Sequence, residues 1–168
     1  GKPIDFARLA QIGSEGVLLM MADSTNVLRR GYTASERVVG RTLENIFRRS
    51  DRRIIIATFS SNVHRIQKII DLAVICKRKV AISGRSMVNV VDLAKELGYI
   101  KIPANTLVDL NKTRHIPDKE LVVITTGSQG EPMSALARMA SSDHKSITIK
   151  PGDMVILSSS PVPGNELT

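Results

Sequence analysis

Side chains that could hold a metal or act as a nucleophile are few and far apart in this sequence. The three histidines, His64, His115 and His144, form no HxH or HxxxH pair, and the single cysteine, Cys76, lies in an apolar run. Zinc sites draw His, Cys and carboxylate ligands from short, recognisable spacings. We therefore predict no metal site within the chain. The GxxxxGK[ST] loop of nucleotide hydrolases does not occur either.

Asp23 is the acidic residue that attracts a chemical role. It directly follows the apolar run 17–22, and a carboxylate at the end of a buried strand costs free energy unless it has partners. It could have a chemical role with such partners, or it could cap the next turn through Ser24 or Thr25. The sequence leaves both interpretations open.

Small hydroxyl, amide and glycine residues follow five of the predicted strands. They form the segments Asp23-Ser24-Thr25-Asn26, Phe59-Ser60-Ser61-Asn62, Ser83-Gly84-Arg85-Ser86, Thr126-Gly127-Ser128-Gln129-Gly130-Glu131 and Ser158-Ser159-Ser160-Pro161. Backbone N–H groups in such loops, and at the helix N-termini beyond them, attract anions. Caps and turns explain any one segment. Five together on a basic chain predict a polar rim that binds phosphate.

These segments must be positioned by strands that alternate with helices. Strands are predicted at 17–22, 53–58, 80–82, 121–125 and 154–157, with further short strands allowed at 106–110 and 146–149. Helices are predicted from Asp5 to Gly13, from the capping box Thr33-Ala34-Ser35-Glu36 to Arg49, and at 62–77, 87–97 and 133–140. Apolar strands alternating with helices predict an α/β fold, an open, mostly parallel sheet with helices on both faces. Ligands bind such sheets beyond the carboxyl ends of the strands.

Composition narrows the class of partner. The chain has 168 residues with 24 Lys and Arg against 16 Asp and Glu, a formal charge of +8, which favours nucleic acid. Aromatic residues make up 3%, so we expect phosphate contacts rather than base stacking. A lone cysteine suits a reducing cytoplasm, and no apolar stretch approaches a membrane span.

Several segments, in order along nearly the whole chain, resemble one known family. They are Ala22-Asp23-Ser24-Thr25-Asn26, Gly31-Tyr32-Thr33 with Ser35-Glu36, Phe59-Ser60-Ser61-Asn62-Val63-His64-Arg65-Ile66-Gln67, Ser83-Gly84-Arg85-Ser86-Met87, Thr125-Thr126-Gly127-Ser128-Gln129-Gly130-Glu131-Pro132 and Ser160-Pro161-Val162-Pro163-Gly164-Asn165-Glu166. The chain resembles the β-CASP domain of ribonuclease J, in the metallo-β-lactamase superfamily.

This resemblance implies a function for the longer protein. Members of the family hydrolyse RNA with two zinc ions, as endonucleases and as 5′-to-3′ exonucleases that favour a 5′-monophosphate, in rRNA processing and mRNA decay. The metals bind to an HxHxDH motif and further residues of the metallo-β-lactamase domain, into which the β-CASP domain is inserted. We therefore expect residues 1–168 to be a β-CASP domain excised from a longer cytoplasmic protein. Alone it should bind no zinc and cut no RNA.

The resemblance also implies roles for particular residues. Asp23 matches the acidic residue of motif A, which hydrogen-bonds a histidine encoded downstream of this chain. The RNA backbone is expected to contact two loops, Ser60, Ser61, Asn62 and His64 in one and Gly127, Ser128 and Gln129 in the other. The implied partners are RNA, the metallo-β-lactamase domain of the same protein, and further copies in a homodimer or tetramer.

Two alternatives stay open. The polar rim would also suit a stand-alone nucleotide- or nucleic-acid-binding module, non-enzymatic or transferase-like; an HxHxDH motif upstream and an SGH-like motif downstream in the gene would argue against it. The domain could instead serve mainly in self-association. The basic runs at 48–53 and 77–79 are either solvated helix ends or guides for RNA toward the rim.

Overall fold

The computed structural model describes residues 4–24, 27–28, 30–32, 35–159 and 164–165. The chain divides into two compact units, Gly1–Val39 and Gly40–Thr168. Each unit is described by itself below.

The first unit contains helix α1, Phe6–Glu15. Asp5 caps it as predicted, because its carboxylate accepts a hydrogen bond from the backbone N–H of Arg8 at 2.9 Å. The helix continues two residues beyond the predicted end at Gly13. It stops before Gly16, whose φ of 92° leaves the helical region.

The buried strand predicted at 17–22 is wrong for this structure. These residues form no strand, and their large side chains are exposed, from 53% at Val17 to 105% at Leu18. A buried strand needs neighbours for its backbone groups and cover for both faces. The described residues of the first unit supply neither. Of the predicted capping box, Thr33 and Ala34 lie outside the described residues.

The second unit contains most of the secondary structure, and helix α2 runs into it from the first. The helices are α2, Glu36–Arg49; α3, Val63–Ile75; α4, Arg85–Glu96; and α5, Ala135–Ala140. The strands are β1, Ile54–Ala57; β2, Lys79–Ile82; β3, Leu121–Thr125; and β4, Met154–Leu157. Two short 3₁₀ turns span Leu110–His115 and Asp118–Glu120.

The strands form one parallel sheet in the order β2-β3-β1-β4. Ile54 is in register with Val122 of β3 and with Met154 of β4, and Lys79 is in register with Leu121. All carboxyl ends therefore lie along one edge, the carboxyl edge, and all amino ends along the opposite edge, the amino edge. The predicted open parallel α/β sheet is confirmed.

Both faces of the sheet are covered. On one face, Ile55, Ala81 and Val123 pack with Ala135 and Met139 of α5. The alternate strand residues, Ile54, Ile56, Val80, Val122 and Ile124, are fully buried as well, and α3 packs against β2 and α4. This burial on two faces explains why the strands are apolar throughout. Edge strand β4 is the exception, since Met154, Val155 and Leu157 are partly exposed.

The two further short strands do not form. Residues 106–110 make a single bridge, between Val80 and Leu107, and Asp109 then caps the 3₁₀ turn that begins at Leu110. Around 146–149 the backbone N–H groups are used elsewhere: those of Ser146 and Ile147 donate to the His144 ring. Local side-chain acceptors thus compete with strand pairing at both places.

Within the described residues, no helix has the length and apolar character to cross a membrane.

Candidate nucleic-acid interface

The carboxyl edge brings together four of the five polar segments predicted to bind phosphate. We call residues 58–62, 83–84, 126–131 and 158–159 the rim. Three rim segments begin on the sheet ladder itself. The N–H groups of Thr58, Ser83 and Ser158 donate to Thr125 O at 3.1 Å, to Ile124 O at 2.8 Å and to Ala57 O at 2.9 Å. The rim therefore starts from the most rigid part of the unit.

In and just after the rim segment that follows β1, two exposed side chains, besides the apolar Phe59, can donate a hydrogen bond. Ser61 and His64 are exposed, whereas Ser60 is half-buried. Asn62 is the N-cap of α3, and its Oδ1 accepts from the backbone N–H of Arg65 at 3.1 Å. Asn62 can therefore offer an anion only the donors of its amide nitrogen. Ser61 and His64 are the residues that a ligand can reach directly.

The rim segment after β3 is held by its own contacts. Ser128 is buried, and its carbonyl accepts from Ser159 Oγ at 2.7 Å. The Gln129 N–H donates to Glu131 Oε2 at 2.9 Å, so that donor is occupied by a carboxylate. The resemblance implied that Gln129 contacts the RNA backbone, and Glu131 competes for the N–H of this residue.

Gly127 is required by packing. Its φ is 109°, and a Cβ placed there would lie 2.8 Å from Leu136 Cβ. Any other residue would therefore combine an unfavourable backbone conformation with a clash.

Two cations beside the rim were not among the predicted site residues, although Arg85 lies within the predicted polar segment Ser83-Gly84-Arg85-Ser86. Arg65 in the first turn of α3 donates to the carbonyl oxygen of Ser158 and, at 3.2 Å, to Ser158 Oγ. Arg85 is the first residue of α4, follows the rim segment after β2 and is exposed. A signal existed in the sequence: each is a basic residue within four positions of a polar segment that precedes a helix.

Ser83 and His144 form a polar pair at the β2 end of the rim. Ser83 Oγ lies 3.1 Å from His144 Nε2, and His144 Nδ1 accepts the backbone N–H groups of Ser146 and Ile147, each at 3.3 Å. A ring that accepts at Nδ1 carries its proton on Nε2 and so donates to Ser83. Burial, and secondarily the positive charge of Arg138, lower the pKa of His144. His144 is therefore neutral at pH 7.

Thr58 stands at the centre of the rim with an unusual hydroxyl. The residue is 1% exposed, and within the described structure its Oγ1 has no hydrogen-bond partner. An unpaired buried hydroxyl costs about 1–3 kcal/mol. No pattern in the sequence distinguished Thr58 from an ordinary strand residue.

Asp23, the fifth predicted site, lies in the first unit and is exposed. The sheet that carries the rim does not include residues 17–22. Thr25, Asn26, Ser160 and Pro161 of the predicted segments lie outside the described residues. Across the described parts of both units, no three His, Cys, Asp or Glu side chains cluster as metal ligands would.

Comparison with known proteins decides the family. A family model, ribonuclease J, beta-CASP domain, matches residues 51–168, which include the whole sheet and rim. The chain belongs to the ribonuclease J β-CASP family.

Curated relatives named ribonuclease J match almost the entire chain. The chain is 45% identical to the Helicobacter pylori protein over 164 residues, which is 98% of the chain and 24% of that relative. It is 48% identical to the Thermus thermophilus protein over 166 residues, covering 99% of the chain and 29% of the relative. The Corynebacterium glutamicum protein is 46% identical over 99% of the chain and 23% of its own length. The chain thus spans about a quarter of these ribonuclease J proteins.

Proposed function

We propose that this chain is the RNA-holding part of a zinc-dependent ribonuclease with endonuclease and 5′-to-3′ exonuclease activity. One observation carries the proposal: four polar segments meet at a single sheet edge in a chain that matches ribonuclease J over nearly its whole length. The proposed partners are RNA with a 5′-monophosphate, the remaining domain of the longer protein, and further copies of that protein.

The rim suits an RNA backbone because its donors are small and fixed. Ser61 and His64 are accessible, Arg85 supplies an exposed positive charge, and the amino end of α3 adds partial positive charge. Ser60 and the Asn62 amide nitrogen flank these groups. Gly127, Ser128 and Gln129 act mainly by shaping the adjoining loop, since their polar groups contact Ser159 and Glu131.

We place the two zinc ions implied by the family outside this chain. Among the described residues, no three His, Cys, Asp or Glu side chains converge as the ligands of a zinc centre would. When bound in the longer enzyme, zinc would activate the attacking water. The work of this chain's own residues is to bind the RNA and orient it.

We assign Asp23 a positioning role toward a histidine encoded outside this chain. The exposed apolar run 17–22 that precedes it is suited to packing against the rest of the longer protein. In that protein, replacing Asp23 by Ala should lower cleavage about a hundredfold or more without loss of folding, and should alter the pH profile of the remaining activity. Unchanged activity would leave Asp23 as a turn cap.

RNA binding by the rim is tested on the chain itself. A 5′-monophosphorylated oligoribonucleotide is titrated by fluorescence anisotropy against wild type, Ser61→Ala and Arg85→Gln. Both variants should bind more weakly, and Arg85→Gln should reduce the slope of log affinity against log salt by about 0.7. The matched control is Arg41→Gln, an exposed cation of α2. An equal loss for Arg41→Gln would contradict the assignment of the rim.

A further inference from the structure

Positive charge concentrates at the amino edge, on the side of the sheet opposite the rim. Segments 48–53, 77–79, 118–120 and 150–153, which lead into the four strands, hold nine Lys or Arg and four Asp or Glu residues. They therefore supply five of the eight excess positive charges of the chain. The four rim segments contain one charged residue, Glu131, and Arg85 directly follows one of them. The basic runs at 48–53 and 77–79 therefore lie at the edge of the sheet opposite the rim.

Two buried arginines fasten these segments together. Arg78 is 4% exposed and donates to the carbonyl oxygens of Arg52, at 2.8 Å, and Ser50. Arg53, also buried, forms a two-pronged ion pair with the carboxylate of Asp153. Hydrogen bonds and an ion pair that are largely shielded from solvent thus join the segments before β1, β2 and β4. Exposed side chains on them project from a fixed backbone.

Three exposed cations stand on adjacent strands along this edge. Lys77, Lys119 and Arg52 precede β2, β3 and β1, which are neighbours in the sheet. Lys77 and Lys119 each stand two residues before the registered pair Lys79 and Leu121. Neighbouring strands lie about 4.8 Å apart. One RNA strand that crosses this edge can therefore contact all three long side chains.

The charge of these three side chains is only weakly compensated. Among the described residues, neither Lys77 nor Lys119 forms an ion pair. Arg52 lies 3.4 Å from Asp51, but the two side chains are 63% and 85% exposed, and such pairs contribute little. Lys150, by contrast, is paired with Asp118 at 2.8 Å.

Exposed cations whose charge is only weakly compensated fit a polyanion that is recognised by its backbone. The whole chain contains three Phe, two Tyr and no Trp, so base stacking has little part here. We propose that the amino edge is a second RNA-binding surface, built on Arg52, Lys77 and Lys119, that holds backbone phosphates independently of sequence. That the partner is RNA rests on the proposed function. That the amino edge is a basic surface does not depend on it.

The two surfaces are separated by the length of the strands. Four or five residues at about 3.3 Å each place roughly 13–17 Å of sheet between the edges. A tetranucleotide can therefore occupy one edge only, whereas a long oligo-U can engage both.

The test replaces Arg52, Lys77 and Lys119 together by Gln in the chain and measures binding of both RNAs against KCl concentration. Affinity for long oligo-U should fall on the order of tenfold to a hundredfold near physiological salt, and the salt slope should fall by about 2, since each single-strand contact contributes about 0.7. Binding of the 5′-phosphorylated tetranucleotide should fall far less than that of oligo-U, because the rim is intact in this variant. Circular dichroism and thermal unfolding verify that the variant is folded.

The matched control replaces Arg41, Lys112 and Lys145 by Gln, three exposed cations that do not lead into a strand. It removes the same charge and should lower oligo-U affinity far less. Equal losses in the two triple variants, or no loss at the amino edge, would overturn the proposal. So would competition by polyglutamate as strong as by oligo-U, which would assign the surface to an acidic protein segment.

Failure of the rim can be told apart from failure of the amino edge. If Arg85→Gln leaves tetranucleotide binding unchanged while the amino-edge variant loses oligo-U, the second surface stands and the proposed role of the rim is contradicted.

Discussion

The two edges of the same parallel sheet differ in how they treat polar groups. At the carboxyl edge, hydroxyls, amides and glycines are bonded to one another, as in the contact from Ser159 Oγ to the Ser128 carbonyl at 2.7 Å. At the amino edge, buried arginines bind carbonyls and one carboxylate, and the remaining cations are exposed. The carboxyl edge contains few charged groups, and its polar groups are held in fixed positions. The amino edge contains many charged groups on long side chains.

This difference indicates that the two edges would contribute differently to RNA binding. Fixed hydroxyls and amides discriminate the position of a phosphate, whereas exposed cations supply affinity that depends on salt and little on sequence. A β-CASP sheet that feeds RNA toward metals held elsewhere would use both. The predictions below perturb one edge at a time, beginning with the largest expected effect.

Breaking the buried ion pair at the amino edge should be the most damaging change. The Asp153 side chain is 2% exposed and that of Arg53 10%, so Asp153→Ala leaves a buried guanidinium without its carboxylate. We expect the free energy of unfolding to fall by about 3–5 kcal/mol, measured by urea denaturation. The matched control, Asp118→Ala, removes an ion pair whose side chains are about half exposed and should cost less than about 1 kcal/mol. Equal costs would refute the claim that buried arginines fasten this edge.

Glycines at the two edges should respond differently to a methyl group. Gly127→Ala at the rim combines a φ of 109° with a Cβ 2.8 Å from Leu136 Cβ, and we expect a loss of about 2–4 kcal/mol. Gly152→Ala at the amino edge has a φ of 91°, and the nearest atom to the new Cβ is Arg52 Nη1 at 3.6 Å. Only backbone strain of about 1–2 kcal/mol applies there. Thermal unfolding of both variants measures which substitution lowers stability more. A larger loss for Gly152→Ala than for Gly127→Ala would contradict this prediction.

The pH dependence of stability should reveal His144. Burial and Arg138 lower its pKa in the folded state, so the unfolded chain binds the proton more readily. Its contribution is therefore present above the unfolded pKa of about 6.5 and is lost as the pH falls below that value. Melting temperatures measured from pH 8 to pH 5 should fall more in wild type than in His144→Gln. Parallel profiles would show that folding does not change the pKa of this ring.

The smallest effect is expected at the centre of the rim. Thr58→Val removes a buried hydroxyl that has no partner in the described structure. The free energy of unfolding should rise by up to about 1 kcal/mol, measured by urea denaturation. A clear loss of stability would show that the hydroxyl is hydrogen-bonded in solution.

Sequence alone predicted the sheet and the convergence of its polar segments. Strands such as 121–125 can be recognised from the sequence, because burial on both faces leaves them almost entirely apolar and rich in β-branched residues. Parallel pairing then requires the residues after each strand to share one edge, which the structure confirms for 58–62, 83–84, 126–131 and 158–159. The segment 17–22 has the same pattern and yet forms no strand. An apolar pattern predicts that the segment can form a buried strand. It does not predict whether neighbouring strands and helices are present to cover it.

The contacts within the rim could not be predicted. The bond between Ser83 and His144 joins residues 61 positions apart, and no spacing rule links them. The Glu131 carboxylate occupies the Gln129 N–H through a turn whose conformation the sequence does not specify. The sequence thus identifies which residues meet, whereas side-chain packing decides which donors remain for a ligand.

The rim as the site of RNA contact is tested most directly by mapping amide chemical shifts. The isotope-labelled chain is titrated with a 5′-monophosphorylated tetranucleotide, which is too short to reach both edges. The account predicts that perturbed amides cluster at residues 58–64, 83–85, 127–130 and 158–159. Perturbations confined to 48–53 and 77–79, or spread over the surface without a cluster, would contradict it.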